Sequence, residues 1–276
     1  MWAAVSAATF HQRKTIMIKR LALPLLLVLG LCSPVTQAAI GNAEAVNLSG
    51  MQRMLSQRIA KSYLMIGTEV RADEANVQLD QSMATFEKNH LALVEYAPND
   101  TIRSELGKAG GLWQRYRELA LSSPDKQRAV ELLGLSDELL AQCEKVVQLI
   151  ERHTGNSNAW LVNRSGRQRM LSQRIAKLYL ARSWHLPVNS LDEQFKQAVN
   201  EFGQALGELQ NAKQNTREIS AALSKADAQW QYSRVGFELS AEGRYVPTVI
   251  AITTESLLTQ MQELTVAYTA QMQSES

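Results

Sequence analysis

Apolar residues recur at helical spacing along eight stretches of the chain, and turn-forming residues separate most of these stretches. The first four predicted helices cover about 44–70, 75–96, 102–121 and 129–152, and the second four cover about 159–184, 190–213, 215–240 and 245–272. The connections contain runs such as Ala97-Pro98-Asn99-Asp100, which end helices. No stretch shows the strict alternation of a strand. The pattern therefore predicts an all-α protein.

The first helix of each group of four carries the most specific feature of the sequence, an internal repeat. Residues 47–64 read NLSGMQRMLSQRIAKSYL, residues 163–180 read NRSGRQRMLSQRIAKLYL, and only three positions differ. A weaker echo matches Leu139-Leu140-Ala141-Gln142 to Leu257-Leu258-Thr259-Gln260. Roughly 110 residues with short connections favour an up-down four-helix bundle for each copy. We predict two tandem bundles, at 39–152 and 159–272, joined by a linker at 153–158.

The N-terminal segment has the features of a secretory leader. An apolar run at 21–31 follows four basic residues, namely Arg13, Lys14, Lys19 and Arg20. This pattern predicts a signal peptide over 1–38 that is cleaved on export to the periplasm, whether translation starts at Met1 or at Met17. Neither this run nor a later one approaches the roughly 20 apolar residues of a spanning helix. Acylation of Cys32 is a less favoured alternative, because Leu31 stands where a lipoprotein signal needs a small residue.

Removal of the leader changes the net charge of the protein. The whole chain has 29 Lys and Arg against 27 Asp and Glu, a net charge of +2. Subtracting the four basic leader residues leaves 25 against 27, a net charge of −2. Hydrophobic residues make up 45% of the chain, which is typical of a globular protein and excludes a disordered one. Export and the weakly negative charge argue against a nucleic-acid partner.

Catalytic chemistry finds little support in the sequence. Paired carboxylates in a repeated context, nucleophile motifs, glycine-rich phosphate loops and metal-ligand spacings are all missing, so we expect neither an enzyme nor a bound cofactor or metal. The scattered His90, His153 and His185 are interpreted as surface or helix-end residues. Trp113 and Trp230 recur at matching positions of the two copies and are interpreted as core residues.

Between the two copies of the first helix, polar residues are as constant as apolar ones. A core tolerates exchange among Leu, Ile and Met, so packing alone does not explain these identities. Residues spaced three or four apart form one stripe along the helix. In the first copy the stripe reads Val46, Gly50, Arg53, Gln57, Ala60 and Leu64, and in the second Val162, Gly166, Arg169, Gln173, Ala176 and Leu180. This stripe predicts a helix that packs closely on a neighbour and takes a guanidinium into the contact.

A buried arginine needs a negatively charged partner, because desolvation of an unpaired charge is costly. No Asp or Glu lies at 45–68 or at 152–191. An acid from another helix is one alternative, and a solvated basic face is the ordinary interpretation of Arg58 and Lys61. For Arg53 and Arg169 we favour a bound anion, because the planar guanidinium fork fits carboxylate-shaped or nitrate-shaped oxyanions.

The repeated motif N-x-[AS]-G-x-Q-R-M-L-S-Q-R-I-A-K resembles the signature helix of the type IV pilus methyl-accepting chemotaxis transducer N-terminal domain, the PilJ-type domain. It is also similar to a shorter motif of NarX-type nitrate/nitrite sensors. The resemblance implies a periplasmic four-helix sensing bundle whose first helices pair and hold an anion between equivalent arginines. Mapped onto this motif, the ligand arginines are Arg53 and Arg169, and Gly50 and Gly166 allow close approach.

This resemblance implies a sensor that binds a small anion, foremost nitrate or nitrite, and that relays binding to a membrane-bound receptor or sensor kinase. Because the chain carries two copies, we expect an internal pseudo-dimer that places Arg53 opposite Arg169, or else a homodimer. A ligand-free helical adaptor for a chemoreceptor or pilus system is the alternative. The predicted ligand-binding residues are Asn47, Gly50, Arg53, Gln57, Arg58, Asn163, Gly166, Arg167, Arg169, Gln173 and Arg174.

Overall fold

The structure is a computed structural model that describes residues 40–155, 159–241 and 243–274. The predicted signal peptide at 1–38, with Cys32, lies outside the described residues. So do the last three positions of the predicted linker, 156–158.

Within these ranges the chain forms helices and no strand, which confirms the all-α prediction. None of the described helices is both long and apolar enough to cross a membrane. Helix ends fall within a few residues of those that the apolar spacing predicts. The helices are α1 Asn42–Gly67, α2 Ala72–Tyr96, α3 Asp100–Ala120, α4 Lys126–Thr154, α5 Ala159–Ser183, α6 Leu191–Gln210, α7 Arg217–Ala241 and α8 Pro247–Ser274.

Local sequence explains several of the helix ends. The side chains of Asn99 and Asp125 accept hydrogen bonds from the backbone N–H three residues on, at 3.0 Å and 2.8 Å, and so cap α3 and α4. Gly155 ends α4 in the left-handed conformation, with φ at 60°, which costs glycine little. Pro247 begins α8, where its missing N–H is not needed.

The two copies repeat the same packing. In the first, α1 packs against α2 and α4, and α3 packs against α4; in the second, α5 packs against α6 and α8, and α7 packs against α8. The rings of Phe86 and Trp113 stack at 4.1 Å between centroids, and those of Phe202 and Trp230 lie 4.3 Å apart. Both tryptophans are buried, which confirms their interpretation as core residues.

The first helices of the two copies, α1 and α5, form the most extensive helix pair in the protein. Smaller contacts join α1 to α8 and α4 to α5, so each first helix is also reached by the fourth helix of the other copy. Within 39–276 the two copies form one compact unit. The stripe predicted on the first helix is buried along its whole length in both copies. The polar residues of this stripe therefore lie inside the protein.

Candidate functional site

Two buried arginines meet where α1 packs on α5. Arg53 donates from Nη2 to the backbone oxygen of Asn163 at 3.2 Å and to its Oδ1 at 2.8 Å. Arg169 donates from Nη2 to the backbone oxygen of Asn47 at 3.3 Å. Both arginines are 0% exposed. Each guanidinium therefore reaches across to the opposite copy, in the internal pairing that the duplicated stripe predicts.

Two glycines make room for these guanidinium groups. A Cβ on Gly50 would lie 3.4 Å from Nη2 of both Arg53 and Arg169. A Cβ on Gly166 would lie 3.1 Å from Nη2 of Arg169 and 3.6 Å from Nη2 of Arg53. A larger side chain at either position would crowd both arginines. The two glycines of the motif thus let two like charges share one small space between the helices.

The two arginines have different partners on the fourth helices. Arg53 forms an ion pair from Nη1 to Oε2 of Glu144 in α4, at 2.6 Å. Arg169 donates from Nη1 to Oε1 of Gln262 in α8, at 2.5 Å. The weaker repeat in the fourth helices places Glu144 and Gln262 at equivalent positions. Among the described residues, no carboxylate lies within ion-pair distance of Arg169.

For Arg53 the structure shows the less favoured alternative, an acid from another helix. The acid-free stretch at 45–68 belongs to α1 alone, and Glu144 comes from α4, 91 positions further along the chain. Spacing along a single helix cannot reveal such a partner. For Arg169, by contrast, the partners in the structure are neutral.

Burial and charge shift the pKa of both arginines. Burial lowers the pKa of Arg53, and Glu144 opposes this effect. Burial lowers the pKa of Arg169 to about 9, the charge of Arg53 lowers it as well, and Glu44 opposes these effects from beyond ion-pair distance. Arg169 is still charged at neutral pH. Nε of Arg169 and Oδ1 of Asn47 also lack a hydrogen-bond partner. This end of the site therefore holds a buried positive charge and unused polar atoms.

The two predicted glutamines bind the backbone of their own copy. Gln57 donates from Nε2 to the backbone oxygen of Ser136 at 3.0 Å, and Gln173 donates to that of Thr254 at 3.5 Å. These bonds connect each first helix to the fourth helix of the same bundle. The structure thus gives the two side chains a packing role beside the arginines.

One turn further along α1, two basic residues bind a carboxylate of the other copy. Lys61 donates from Nζ to Oε2 of Glu255 in α8 at 2.8 Å, and Arg58 binds the other oxygen of the same carboxylate. The Lys61 side chain is only 1% exposed. Burial lowers the pKa of Lys61 to about 8, and Glu255 opposes this effect. The interpretation of Arg58 and Lys61 as a solvated face is therefore wrong.

The same arrangement occurs at the equivalent place in α5. Asp137 of α4 accepts from Nη1 of Arg174 at 2.6 Å and from Nζ of Lys177 at 2.8 Å. Asp137 and Glu255 occupy equivalent positions in the fourth helices, and each binds the first helix of the opposite copy. Sequence reasoning missed both acids, although their equal placement relative to the weaker repeat would have marked them. Two related ion-pair clusters thus hold the copies together.

Arg167, which replaces Met51 of the first copy, brings a further charge to the Arg53 side. It donates from Nη1 to Oε2 of Glu144 at 3.0 Å and also binds Glu201. Glu144 and Arg167 line an open groove between α4, α5 and α6 with a cavity volume of about 400 Å³. Glu144 therefore separates the buried Arg53 from this groove.

Acid should weaken the contact between the copies. Burial raises the pKa of Glu255 and Asp137, but their cationic partners lower it below the ordinary values of 4.5 and 3.8. The pKa of Glu144 is lowered below 4.5 for the same reason. A carboxyl whose pKa is lowered in the folded state stabilises that state fully above its unfolded pKa, and this stability is lost as the pH falls through the folded pKa. We expect the thermal midpoint to fall progressively below about pH 4.5.

The measurement is a series of thermal denaturation curves at constant ionic strength between neutral pH and pH 3. Glu144→Gln should reduce the slope of midpoint against pH, whereas Glu87→Gln, which alters a surface pair with Arg117, should leave it unchanged. A wild-type midpoint that is constant across this range would contradict the prediction.

Comparison with known families agrees with the duplicated architecture. The family model described as the type IV pili methyl-accepting chemotaxis transducer N-terminal domain, PilJ, matches residues 35–136 and 153–266. The two matched segments together cover most of the chain. The chain belongs to the PilJ family. Its two PilJ domains are sensory-transducer domains of periplasmic type, and the family is not an enzyme family.

The relation to NarX-type sensors stays a prediction, as do the domain bounds 39–152 and 159–272. Searches of curated proteins and of solved structures gave no significant match. The residues that the two PilJ domains bring together are therefore the main guide to what this protein binds.

Proposed function

We propose that this protein is an exported, non-enzymatic PilJ-domain sensor that binds a small oxyanion between α1 and α5 and reports it to a membrane-bound receptor or sensor kinase. The observation that supports the proposal is the buried guanidinium of Arg169, which has only neutral partners within bonding distance among the described residues. A buried charge without a counter-ion is costly, and an anion from solution would remove that cost.

The chemistry around Arg169 favours a compact, planar anion with one negative charge. The guanidinium offers parallel N–H donors that match two oxygens of one planar group. The narrow space between Gly50 and Gly166 excludes large ligands, since even a Cβ there would contact both arginines. Nitrate and nitrite fit this description best, and formate has a similar shape.

Such a ligand has a direct route to the rest of the protein. Arg169 contacts Gln262 of α8 and Asn47 of α1, so an anion that draws the guanidinium away changes both helix contacts together. The α1–α5 and α5–α8 packings are the largest that α5 makes. Anion binding would thus alter the relation between the two copies, which a membrane partner could read.

We expect nitrate or nitrite to raise the thermal midpoint of the mature protein above that in chloride of equal ionic strength. A ligand at one hundred times its Kd that binds only the folded state adds about 2.7 kcal/mol of stability. For a protein of this size that corresponds to roughly 5–10 °C. The panel should contain nitrate, nitrite, formate, acetate and sulfate.

The Arg53→Ala/Arg169→Ala double variant should lose this shift. Arg115→Ala, which removes an exposed arginine of α3, is the matched control and should keep it. No shift with any anion, or an equal shift in the double variant, would refute anion sensing at this site.

The alternative function is a ligand-free helical adaptor for a chemoreceptor or pilus protein. The observation that favours it is the pairing of Lys61, Lys177 and Arg53 with Glu255, Asp137 and Glu144, which explains much of the basic charge of α1 and α5 without a ligand. The same titration distinguishes the two functions, because an adaptor would show no anion-dependent midpoint.

A further inference from the structure

We propose that Glu144 acts as a built-in ligand for Arg53. The chain then has one anion site, at Arg169, and binds one monovalent anion, whereas a symmetric pair of domains would have equivalent sites at both arginines. This inference rests on the proposed function and names which of the two arginines is left to bind the ligand. It depends on the difference between Glu144 and Gln262 at equivalent positions of α4 and α8.

In the first copy, the carboxylate of Glu144 already occupies the place of an oxyanion. One of its oxygens, Oε2, accepts from Nη1 of Arg53 at 2.6 Å and from Nη1 of Arg167 at 3.0 Å. A carboxylate has the planar, two-oxygen shape that a guanidinium fork selects in nitrate or formate. The position next to Arg53 is therefore filled by the protein itself.

In the second copy, each of these features is changed. Gln262 has the shape of Glu144 but no charge, and it presents only a neutral oxygen to Arg169, at 2.5 Å. The residue equivalent to Arg167 is Met51, which brings no second guanidinium. Arg169 therefore has no carboxylate partner among the described residues, whereas Arg53 forms an ion pair with Glu144.

An unpartnered amide oxygen also distinguishes the Arg169 half of the site. Oδ1 of Asn163 accepts from Arg53 at 2.8 Å, but the equivalent Oδ1 of Asn47 has no partner. Arg53 thus bonds both oxygens of Asn163, whereas Arg169 bonds only the backbone oxygen of Asn47. Nε of both arginines lacks a hydrogen-bond partner, so the difference between the two halves lies in the asparagine oxygen, which is bonded beside Arg53 and unpartnered beside Arg169.

The charge of the cluster indicates the class of ligand. Three cations, Arg53, Arg167 and Arg169, are accompanied by the two acids Glu144 and Glu201 that bind Arg53 and Arg167. One positive charge is left without an ion pair, which matches a monovalent anion. Sulfate would bring an excess negative charge into a buried space, so it should bind less well than nitrate.

The experiment is calorimetric titration of the mature protein with sodium nitrate, with thermal midpoints in chloride and in nitrate for each variant. Wild type should bind one nitrate per chain. Gln262→Glu supplies the second internal carboxylate and should weaken nitrate binding about tenfold or more. Glu144→Gln frees Arg53 and should raise the stoichiometry from one nitrate to two. Glu138→Gln and Gln273→Glu make the same charge changes at exposed positions of α4 and α8 and should behave as wild type.

The outcomes separate this inference from the proposed function. If wild type binds nitrate and neither Gln262→Glu nor Glu144→Gln changes affinity or stoichiometry, the role of Glu144 is refuted while anion sensing stands. If wild type binds none and Glu144→Gln binds nitrate, the site at Arg169 and with it the proposed function are refuted, although Glu144 does occupy an anion position at Arg53. If no folded variant binds nitrate, sulfate or formate, both are refuted. Midpoints in chloride establish that each variant is folded.

Discussion

Replacing Glu255 with glutamine is expected to destabilise the folded protein by about 3 kcal/mol, because removal of one partner from a buried ion pair leaves the other charge uncompensated. The charge left behind is that of Lys61, whose side chain is 1% exposed and whose ammonium has Glu255 as its ion-pair partner. Arg58, the other partner of Glu255, is more exposed and can turn to water. The loss should therefore come mainly from the lysine.

Urea denaturation of the variant measures this loss. Glu263→Gln, an exposed change on the same helix, is the matched control and should alter the free energy of unfolding by less than about 0.5 kcal/mol. Asp137→Asn should reproduce the effect of Glu255→Gln at Lys177. The double variant Lys61→Met/Glu255→Leu should recover most of the loss, since it replaces the ion pair with apolar groups. Equal stabilities of Glu255→Gln and the control would contradict the expectation.

Replacing Arg169 with methionine is expected to have the opposite sign and to stabilise the anion-free protein by about 1–2 kcal/mol. The side chain is fully buried and bears a charge that no carboxylate neutralises among the described residues. Methionine keeps a similar length in the space beside Gly50 and Gly166 and has no charge to desolvate. The gain from removing the buried charge should exceed the loss of two hydrogen bonds to neutral oxygens.

The equivalent change in the first copy is the internal control. Arg53→Met should destabilise the protein, because it removes an ion pair with Glu144 and two hydrogen bonds to Asn163. Thermal midpoints in chloride compare the two variants, and Arg169→Met should in addition lose the response to nitrate. Equal destabilisation by Arg53→Met and Arg169→Met would contradict the prediction that only Arg53 has its charge compensated.

Comparison of the two copies predicts best those features that depend on residues within one helix. The stripe from Val46 to Leu64 follows from helical periodicity, and its burial is confirmed. The stripe depends on neighbours three or four positions apart, which a sequence displays directly. The duplicated stripe is compatible with a pairing of α1 with α5 or with a homodimer, and the structure shows the first of these.

The partners of the buried cations were not predictable in the same way. Glu144, Asp137 and Glu255 lie in fourth helices whose sequences have diverged, between 40 and 194 positions from the buried cations that they bind. For two of the three buried cations, Lys61 and Lys177, the acid belongs to the opposite copy. Their role depends on how eight helices pack, and periodicity within one helix contains no information about that packing.

The sequence by itself therefore determined the helices, the duplication, the resemblance to the PilJ family and the constant polar residues of the two first helices, but not whether the two copies pair. Only the tertiary structure decided which of those residues are neutralised. A carboxylate from a distant helix compensates Arg53, Lys61 and Lys177, whereas an amide faces Arg169. The reason is physical: helical periodicity is set by bonds along the chain, but the charge balance of a buried group is set by whatever the fold brings within a few ångströms of it.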